Sequence, residues 1–200
     1  MGGRKMIYFT SDTHFGSQRT LELSKRPFKN TNEMDKTILD NFNSILTEDD
    51  VLFHLGDFGN YEMVRKINCP VRLILGNYEE KDITMDYDDN VYEFCHQLKK
   101  EGFESIERKK YISVPHHETN EYILFNLVHE PSKSICKPIS ERTPKNVFNL
   151  YGHIHGRQMI RRYGMDVGVD CHHFRPVSMD DIWFYYDAIK KHYDHEVFDD

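Results

Sequence analysis

Seven oxygen and imidazole side chains in this chain each follow a short apolar run that is typical of a buried strand. The runs are residues 6–9, 51–55, 71–75, 122–128 and 147–151. The side chains that follow them are Asp12, His14, Asp57, Asn77, His129, His153 and His155. Because ligands in open α/β sheets bind at the carboxyl ends of strands, we expect all of them to meet at one rim. Donors of these types predict a metal site there.

The donor set suits two metal ions better than one. A tetrahedral zinc takes about four ligands, whereas oxygen and nitrogen donors without a thiolate suit two six-coordinate ions such as Mn²⁺, Fe or Mg²⁺. One carboxylate must then bridge the ions, and Asp57, on the glycine turn at residues 56–59, is the natural candidate. Two ions about 3.5–4 Å apart can hold both the attacking and the leaving oxygen of an in-line displacement. The chemistry predicted is hydrolysis of a phosphoester.

The donors lie in five short blocks of sequence. The blocks are Ser11-Asp12-Thr13-His14, Leu55-Gly56-Asp57, Leu75-Gly76-Asn77-Tyr78-Glu79, Val128-His129-Glu130-Pro131 and Tyr151-Gly152-His153-Ile154-His155. Their order and spacing resemble the signature of the calcineurin-like metallophosphoesterases. The stretches 11–57, 166–170 and 175–178 resemble a small prokaryotic or phage-type branch of that superfamily. The resemblance covers nearly the whole chain.

The resemblance implies a ligand set and a mechanism. Asp57 would serve both ions, and two divalent ions are the implied cofactors, with Mn²⁺ expected and Fe, Ni, Zn or Mg as alternatives. A hydroxide bridging the ions would attack phosphorus, while Asn77 and His129 would orient and neutralise the phosphoryl oxygens. The implied ligands are Asp12, His14, Asp57 and His155 for the first metal, and Asp57, Asn77, His129 and His153 for the second.

Tyr78 departs from the family pattern, which places a histidine there to protonate the leaving oxygen. General acid catalysis contributes roughly 10²–10⁴-fold. A phenol with a pKa of about 10 is a poorer acid at neutral pH than an imidazolium near 6.5. Tyr78 is the candidate replacement acid, with packing or stacking on the substrate as the alternative. Because the family histidine is missing, we favour phosphodiesters and activated esters over alkyl monoesters. Ser17 also stands where members of the branch often have histidine.

Apolar spacing predicts the elements that position these residues. Helices are predicted over residues 32–46, capped by Thr31 or Asn32, near 61–67, over 91–100 and over 180–190. Strands are predicted over 5–10, 51–55, 71–75, 110–114, 121–128, 147–151, 158–163 and 167–169. This order fits two mixed sheets packed face to face and flanked by helices, the four-layer α/β/β/α sandwich of the calcineurin-like fold. The 200 residues are expected to form one domain, residues 1–200.

Composition limits the partners. The net charge of −7 is spread along the chain, so no basic face is predicted and tight binding to duplex DNA is not expected. A small phosphorylated substrate, such as a nucleotide, fits better. Four scattered cysteines, without a C-x-x-C pair, argue against a disulfide framework and favour a cytoplasmic protein. No apolar run of about 18 residues predicts a membrane span, and the oligomeric state is left open.

Five further histidines have plain structural interpretations beside functional ones. His54 is read as a hydrogen-bonded strand residue, with orientation of Asp57 as the alternative. His116 and His117 are read as a solvated hairpin tip. His172 and His173 are read as surface loop, with substrate contact as the alternative.

A segment at residues 132–146 joins two of the donor-bearing strands and is rich in basic residues. A solvated loop is the plain interpretation. Fifteen residues is nevertheless long for a connection in a compact domain, and such loops often bind substrate. The predicted substrate-binding residues are Lys133, Lys137, Arg142 and Lys145.

The sequence therefore predicts a dinuclear metal-dependent phosphoesterase. The alternative is a metal-binding scaffold of the same fold with weakened turnover, for which Tyr78 is the only support. A nuclease acting on structured DNA is disfavoured, because the chain has neither a basic surface nor room for an extra capping domain.

Overall fold

The computed structural model describes residues 5–135 and 147–192, with side chains described to residue 189. The helices are α1 (Gln18–Leu23), α2 (Thr31–Asn43), α3 (Asn77–Asp86), α4 (Val91–Glu101) and α5 (Met179–His192). The strands are β1 (Ile7–Thr10), β2 (Val51–His54), β3 (Val71–Ile74), β4 (Ser105–Glu107), β5 (Lys110–Pro115), β6 (Tyr122–Leu127), β7 (Val147–Tyr151), β8 (Ile160–Arg161), β9 (Gly164–Asp166) and β10 (Val177–Ser178). Three short 3₁₀ turns lie at Tyr61–Lys66, Pro131–Lys133 and Val169–Cys171.

The first sheet has the strand order β10, β1, β2, β3, β4. Strands β1 to β4 are parallel, and β10 pairs antiparallel with β1. Successive side chains of a strand point to opposite faces, so Leu52 packs with the helices while Val51 and Phe53 face the other way. Helix α2 covers the helical face with Met34 and Phe42, both fully buried. The parallel order brings the ends of β1, β2 and β3 to one edge.

The second sheet has the strand order β5, β6, β7, β9, β8. Its β6, β7 and β9 are parallel, and its two outer pairs are antiparallel. Phe125 and Leu150 of this sheet join Phe9 and Phe53 of the first sheet in one buried apolar cluster, which Trp183 of α5 also enters. The two sheets therefore pack face to face. The predicted mixed α/β fold, with two mixed sheets and flanking helices, is confirmed.

Local details differ from the prediction. Helices α1 and α3 and strands β4 and β10 were not predicted. The strand expected at 158–163 is only the two residues of β8, and the one expected at 167–169 is wrong, because β9 ends at Asp166 and a turn follows. The cap of α2 is Asn30, whose side chain accepts from the N–H of Glu33, rather than Thr31 or Asn32. None of the helices described here has the length and apolarity needed to cross a membrane.

The interpretation of His116 as a solvated residue is wrong. The side chain is buried, and its Nδ1 accepts from the backbone N–H groups of Glu118 and Thr119. Its Nε2 lies 3.2 Å from a carboxylate oxygen of Asp187, and its ring packs edge-on against Trp183. The helix α5 covers the hairpin between β5 and β6, which explains the burial. His117 is exposed, as predicted.

Candidate metal centre

The predicted donors meet where β1, β2, β3, β6 and β7 end. The first group is Asp12, His14 and His155, and the second is Asp57, His129 and His153. Within each group the candidate ligand atoms lie within 4.8 Å of one another. The Oδ1 atom of Asn77 lies 2.9 Å from both His129 Nε2 and His153 Nδ1, so it adds a donor to the second group. The structure thus brings all seven predicted donors together.

Asp57 lies between the two groups. Its Oδ2 is 3.5 Å from His14 Nε2 and 3.4 Å from His129 Nε2. Its other oxygen, Oδ1, accepts from the backbone N–H of Tyr78 at 3.0 Å. One carboxylate oxygen therefore faces a nitrogen of each group, which is the position that a bridging ligand requires.

Two glycines of the sequence blocks are needed because other groups approach their backbone closely. A Cβ added at Gly76 would lie 2.2 Å from Asp57 Oδ1, and one at Gly152 would lie 2.2 Å from Asp12 Oδ2. Real Cβ atoms do not approach oxygen so closely, so only glycine fits. The glycines that precede Asn77 and His153 therefore let the ligand carboxylates sit against the neighbouring loops.

Many of the donors have a strained backbone. Asp12, His14, Asp57, His153 and His155 all have φ between 48° and 74°. A side chain other than glycine in this left-handed region costs of order 1–3 kcal/mol, and such residues cluster at functional sites. The strain turns these side chains from the strand ends towards the shared rim.

Glu79 fixes the loop that carries Asp57. It is fully buried, and its carboxylate accepts from the backbone N–H groups of Gly76, Asp57 and Phe58 at 2.7–2.8 Å. Its burial and the nearby charge of Asp57 raise the pKa of Glu79 to about 7. Sequence reasoning placed Glu79 in the motif but gave it no role, although an acid three residues after a loop glycine is a recognisable capping signal.

Hydrogen bonds fix the orientation of two donor histidines. His129 Nδ1 donates to the carbonyl oxygen of Leu55 at 2.7 Å, which directs Nε2 into the site. His155 Nδ1 lies 2.8 Å from Asp170 Oδ2, which leaves its Nε2 for a ligand in the same way. Metal-binding histidines commonly have such a partner on the other ring nitrogen. Asp170 is a positioning residue that sequence reasoning did not identify.

Arg26 ties Asp170 to the first ligand loop. Its guanidinium donates twice to the Asp170 carboxylate, both at 2.8 Å, and also to the carbonyl oxygens of Asp12 and Thr13. Burial opposes the charge of Asp170, but the hydrogen bonds from His155 and Arg26 outweigh it and lower the pKa of Asp170 to about 2. The network holds Asp12 and His155 in one rigid frame.

His54 supports the same loop from below. The Thr13 hydroxyl donates to the carbonyl oxygen of Phe58 and so accepts from His54 Nε2, 2.9 Å away. Burial lowers the pKa of His54 to about 3, which keeps the ring neutral. His54 is a hydrogen-bonded strand residue, as predicted, and its partner is Thr13 rather than Asp57.

The two buried donor histidines differ in protonation. Burial lowers the pKa of His14 to about 4, despite Asp12 and Asp57, so its ring is neutral and offers a lone pair. Burial also acts to lower the pKa of His129, but its interactions with Asp57 and Asp12 raise it to about 9. A metal ion that binds His129 must therefore displace a proton.

The residues present fit metal ions. Asp12 Oδ1 and His14 Nε2 are buried without a hydrogen-bond partner among the described residues. An unpartnered buried polar atom is costly, and a buried carboxylate oxygen more so. A divalent cation between these atoms would satisfy both of them. The donors are imidazole, carboxylate and amide groups. This mixed set suits Mn²⁺, Fe or Zn²⁺ better than it suits an ion that prefers oxygen ligands alone.

A third group of possible donors, His116, His117 and Asp187, lies away from this centre. Because His116 Nδ1 accepts from backbone N–H groups, the neutral ring has its proton on Nε2 and donates it to Asp187. Binding a metal through Nε2 would require that proton to leave. These residues act as a structural contact between the hairpin and α5.

Tyr78 borders a cavity of about 490 Å³ that opens beside both donor groups. The rings of Tyr78 and His14 pack edge to face, with their centres 4.9 Å apart. The phenol oxygen accepts from Arg19 Nη1 at 2.6 Å. Since the oxygen accepts from Arg19, its own proton is available to another acceptor. Arg19 was not identified from the sequence.

Most of the predicted substrate segment lies outside the described residues, including Lys137, Arg142 and Lys145. Lys133 lines a separate cavity of about 600 Å³ and pairs with Glu130 at 2.8 Å. Besides His14, Asp57, Asn77 and Tyr78, the described residues that line the metal-centre cavity come from α1, from the loop after it and from residues 153–157. His172 and His173 do not line that cavity. His172 Nε2 donates to the carbonyl oxygen of Asp166.

The Asp170 carboxylate offers a test of the frame. We expect Asp170→Asn to weaken metal binding by about 10–100-fold, because loss of an outer partner costs a ligand histidine its orientation and basicity. Competition with a fluorescent metal chelator measures the affinity. The matched control is Asp180→Asn, the same carboxylate-to-amide change at an exposed residue of α5, and it is expected to keep the parent affinity. Equal affinities of all three proteins would contradict the role of Asp170.

Comparison with known proteins agrees with this geometry. A solved structure from Aquifex aeolicus, titled as the protein of unknown function AQ665, superposes with a TM-score of 0.61 and 26% identity over 90% of this chain and 98% of its own. The uncharacterized protein MJ1445 of Methanocaldococcus jannaschii is 28% identical over 142 residues, which are 66% of this chain and 80% of that protein. The model of the calcineurin-like phosphoesterase superfamily domain matches residues 6–170, a range that includes all seven predicted metal donors. The chain therefore belongs to the calcineurin-like phosphoesterase superfamily.

Proposed function

We propose that this protein is a dinuclear metal-dependent phosphoesterase that hydrolyses small phosphodiesters or activated monoesters. The position of Asp57 carries the proposal, because one carboxylate oxygen lies within 3.5 Å of a nitrogen in each donor group. Mn²⁺ is the expected metal, and a nucleotide is the expected type of substrate.

The donors of the two groups differ in burial, and each group would hold one ion. Asp12, His14 and His155 would hold one ion in the more buried group, and Asn77, His129 and His153 would hold the other, with Asp57 shared. When bound, divalent ions supply an activated water nucleophile and positive charge for the phosphoryl oxygens. Asn77 is exposed to the cavity, where its amide would orient a phosphoryl oxygen.

Tyr78 would act on the leaving group. Its ring is held against His14, and its oxygen is held by Arg19, so the hydroxyl proton can be donated to an oxygen in the cavity. The positive guanidinium would stabilise the negative charge that develops on the phenol oxygen as the proton leaves. Diesters and esters with good leaving groups depend less on this proton, which is why they are the preferred substrates.

Hydrolysis of bis(4-nitrophenyl) phosphate and 4-nitrophenyl phosphate under Mn²⁺, Ni²⁺, Zn²⁺ and Mg²⁺ tests the proposal. We expect turnover of both esters, faster for the diester and fastest with Mn²⁺. Metal binding without turnover of either ester would contradict the enzyme and favour a metal-binding scaffold.

Substitution of Tyr78 tests the general acid separately. We expect Tyr78→Phe to slow an alkyl phosphoester by about 10²-fold and an aryl ester much less, because only the alkoxide needs a proton to leave. Tyr78→His should restore or exceed the parent rate on the alkyl ester. The measurement is the dependence of kcat/KM on the leaving-group pKa. Equal effects on alkyl and aryl esters in both variants would show that position 78 does not serve the leaving oxygen.

A further inference from the structure

Three basic side chains line one part of the cavity beside the donor groups. Arg19 belongs to α1, Lys25 follows it, and Arg157 lies two residues after the donor His155. We call these three residues the cationic wall. Asp57 is the one carboxylate among the described residues that line this cavity, and it is assigned to the ions.

The cationic wall concentrates positive charge beside the donor groups in a chain with a net charge of −7. In the described part of the chain, none of its three members has a carboxylate partner, and Arg19 donates to a neutral phenol. Six other basic residues elsewhere at the surface of the described chain are paired with carboxylates, whereas exposed lysines such as Lys99 and Lys100 are not. The pairs are Lys36 with Asp40, Arg65 with Glu101, Arg72 with Glu104, Arg108 with Glu80, Lys110 with Glu107, and Lys133 with Glu130.

The backbone beneath the cationic wall is fixed to the metal centre. The N–H of Ser17 donates to the carbonyl oxygen of His14, and the Ser17 side chain caps α1. Lys25 precedes the buried Arg26, whose guanidinium holds the first ligand loop. Arg19 and Lys25 therefore extend from backbone positions that are fixed relative to the donor groups, and their exposed side chains can reach into the cavity.

We infer that the cationic wall binds a second anionic group of the substrate, so that the preferred substrates are phosphodiesters that carry a further phosphate. This inference rests on the proposed function. The scissile phosphate would occupy the ions, and its charge is met there. Three cations that have no carboxylate partner among the described residues lie beside it, and they leave an excess of positive charge that a mononegative diester does not neutralise. Guanidinium groups favour phosphate in particular, because their planar array of donors can form two hydrogen bonds to it.

A matched pair of esters tests the inference by kinetics. Thymidine 5′-(4-nitrophenyl phosphate) and its 3′-phosphorylated derivative share the scissile bond and the leaving group and differ only in the second phosphate. We expect the 3′-phosphorylated ester to have a kcat/KM roughly 10–100-fold higher, since charge-assisted hydrogen bonds are the stronger ones. The double variant Lys25→Gln/Arg157→Gln should reduce that ratio by about 10-fold. It leaves Arg19, and with it the contact to Tyr78, in place.

The control variant for the cationic wall loses two positive charges at a site away from the cavity. Lys99→Gln/Lys100→Gln changes two exposed lysines of α4 that do not line the cavity, and it should keep the parent ratio. Calorimetric binding of thymidine 3′,5′-bisphosphate against thymidine 5′-monophosphate, with Mn²⁺ present, gives a readout independent of turnover. There we expect tighter binding of the bisphosphate, reduced in the cationic-wall variant only.

The outcomes separate the two proposals. Turnover of both esters at similar kcat/KM, with equal binding of the two nucleotides, would overturn the inference and leave the proposed function standing. Failure to hydrolyse either ester with metal bound would overturn the proposed function, and the binding arm would still decide for or against the cationic wall. If both double variants lost the preference for the 3′-phosphorylated ester to the same extent, the inference would also be overturned, because the preference would then depend on net charge alone.

Discussion

Asp57→Asn is expected to reduce the bound metal from two ions towards one or none and to lower kcat/KM by more than about 10²-fold. The substitution removes a negative charge from a position that faces both donor groups, whereas His14→Ala removes a neutral ligand from one group. Loss of one electrostatic contact to the transition state already costs about 10²–10³-fold. Metal analysis after gel filtration, together with hydrolysis of bis(4-nitrophenyl) phosphate, measures both effects.

Asp88→Asn is a suitable control for this change. Asp88 has φ of 48°, close to the 58° of Asp57, but it is exposed and lies outside the centre. It therefore reproduces the substitution in the same backbone conformation without the charge at the ions. A fully metallated Asp57→Asn protein with parent activity would rule out the bridging role.

Arg26→Met is expected to lower the free energy of unfolding by about 3–5 kcal/mol, the cost of removing one partner from a buried ion pair. Arg26 is 5% exposed, and the change removes the guanidinium that donates to the Asp170 carboxylate and to two carbonyl oxygens. Urea denaturation of the metal-free proteins gives the difference through the shift in midpoint at constant slope.

The matched change is Arg65→Met, which breaks a pair with Glu101 at the surface, where the arginine side chain is 59% exposed. Surface pairs contribute about 0–1 kcal/mol, so this variant should unfold near the parent midpoint. If Arg26→Met and Arg65→Met have the same midpoint, the Arg26 network is not part of the stabilising frame.

The donors were predictable because each of them follows a strand that apolar spacing reveals. Parallel order places the ends of β1, β2 and β3 at one edge of the first sheet and those of β6 and β7 at one edge of the second. Grouping Asp12 with His129 also requires the two sheets to pack with these edges together. The two sheets followed from the same pattern. Helix α3 was missed because it has no apolar stripe: it buries Glu79 and Ile83 but exposes most of its other residues.

Other features depend on contacts that the local sequence does not show. Arg26 meets Asp170 across 144 residues, and His116 meets Asp187 across 71. The local sequence shows Arg26 and Asp170 only as residues of separate motifs. It places His116 in a turn, and the contact with α5 that buries His116 cannot be read from the residues around it. The cationic wall was missed for the same reason, since α1 was not predicted and Arg19 reaches Tyr78 only in the folded chain.

The most direct test of a dinuclear enzyme is a titration of the metal-free protein with Mn²⁺ while hydrolysis of bis(4-nitrophenyl) phosphate is followed. The two donor groups, joined by Asp57, predict no turnover before metal is added and a plateau when two ions are bound per chain. Turnover that survives removal of all metal, or a plateau at a single ion, would contradict the dinuclear centre.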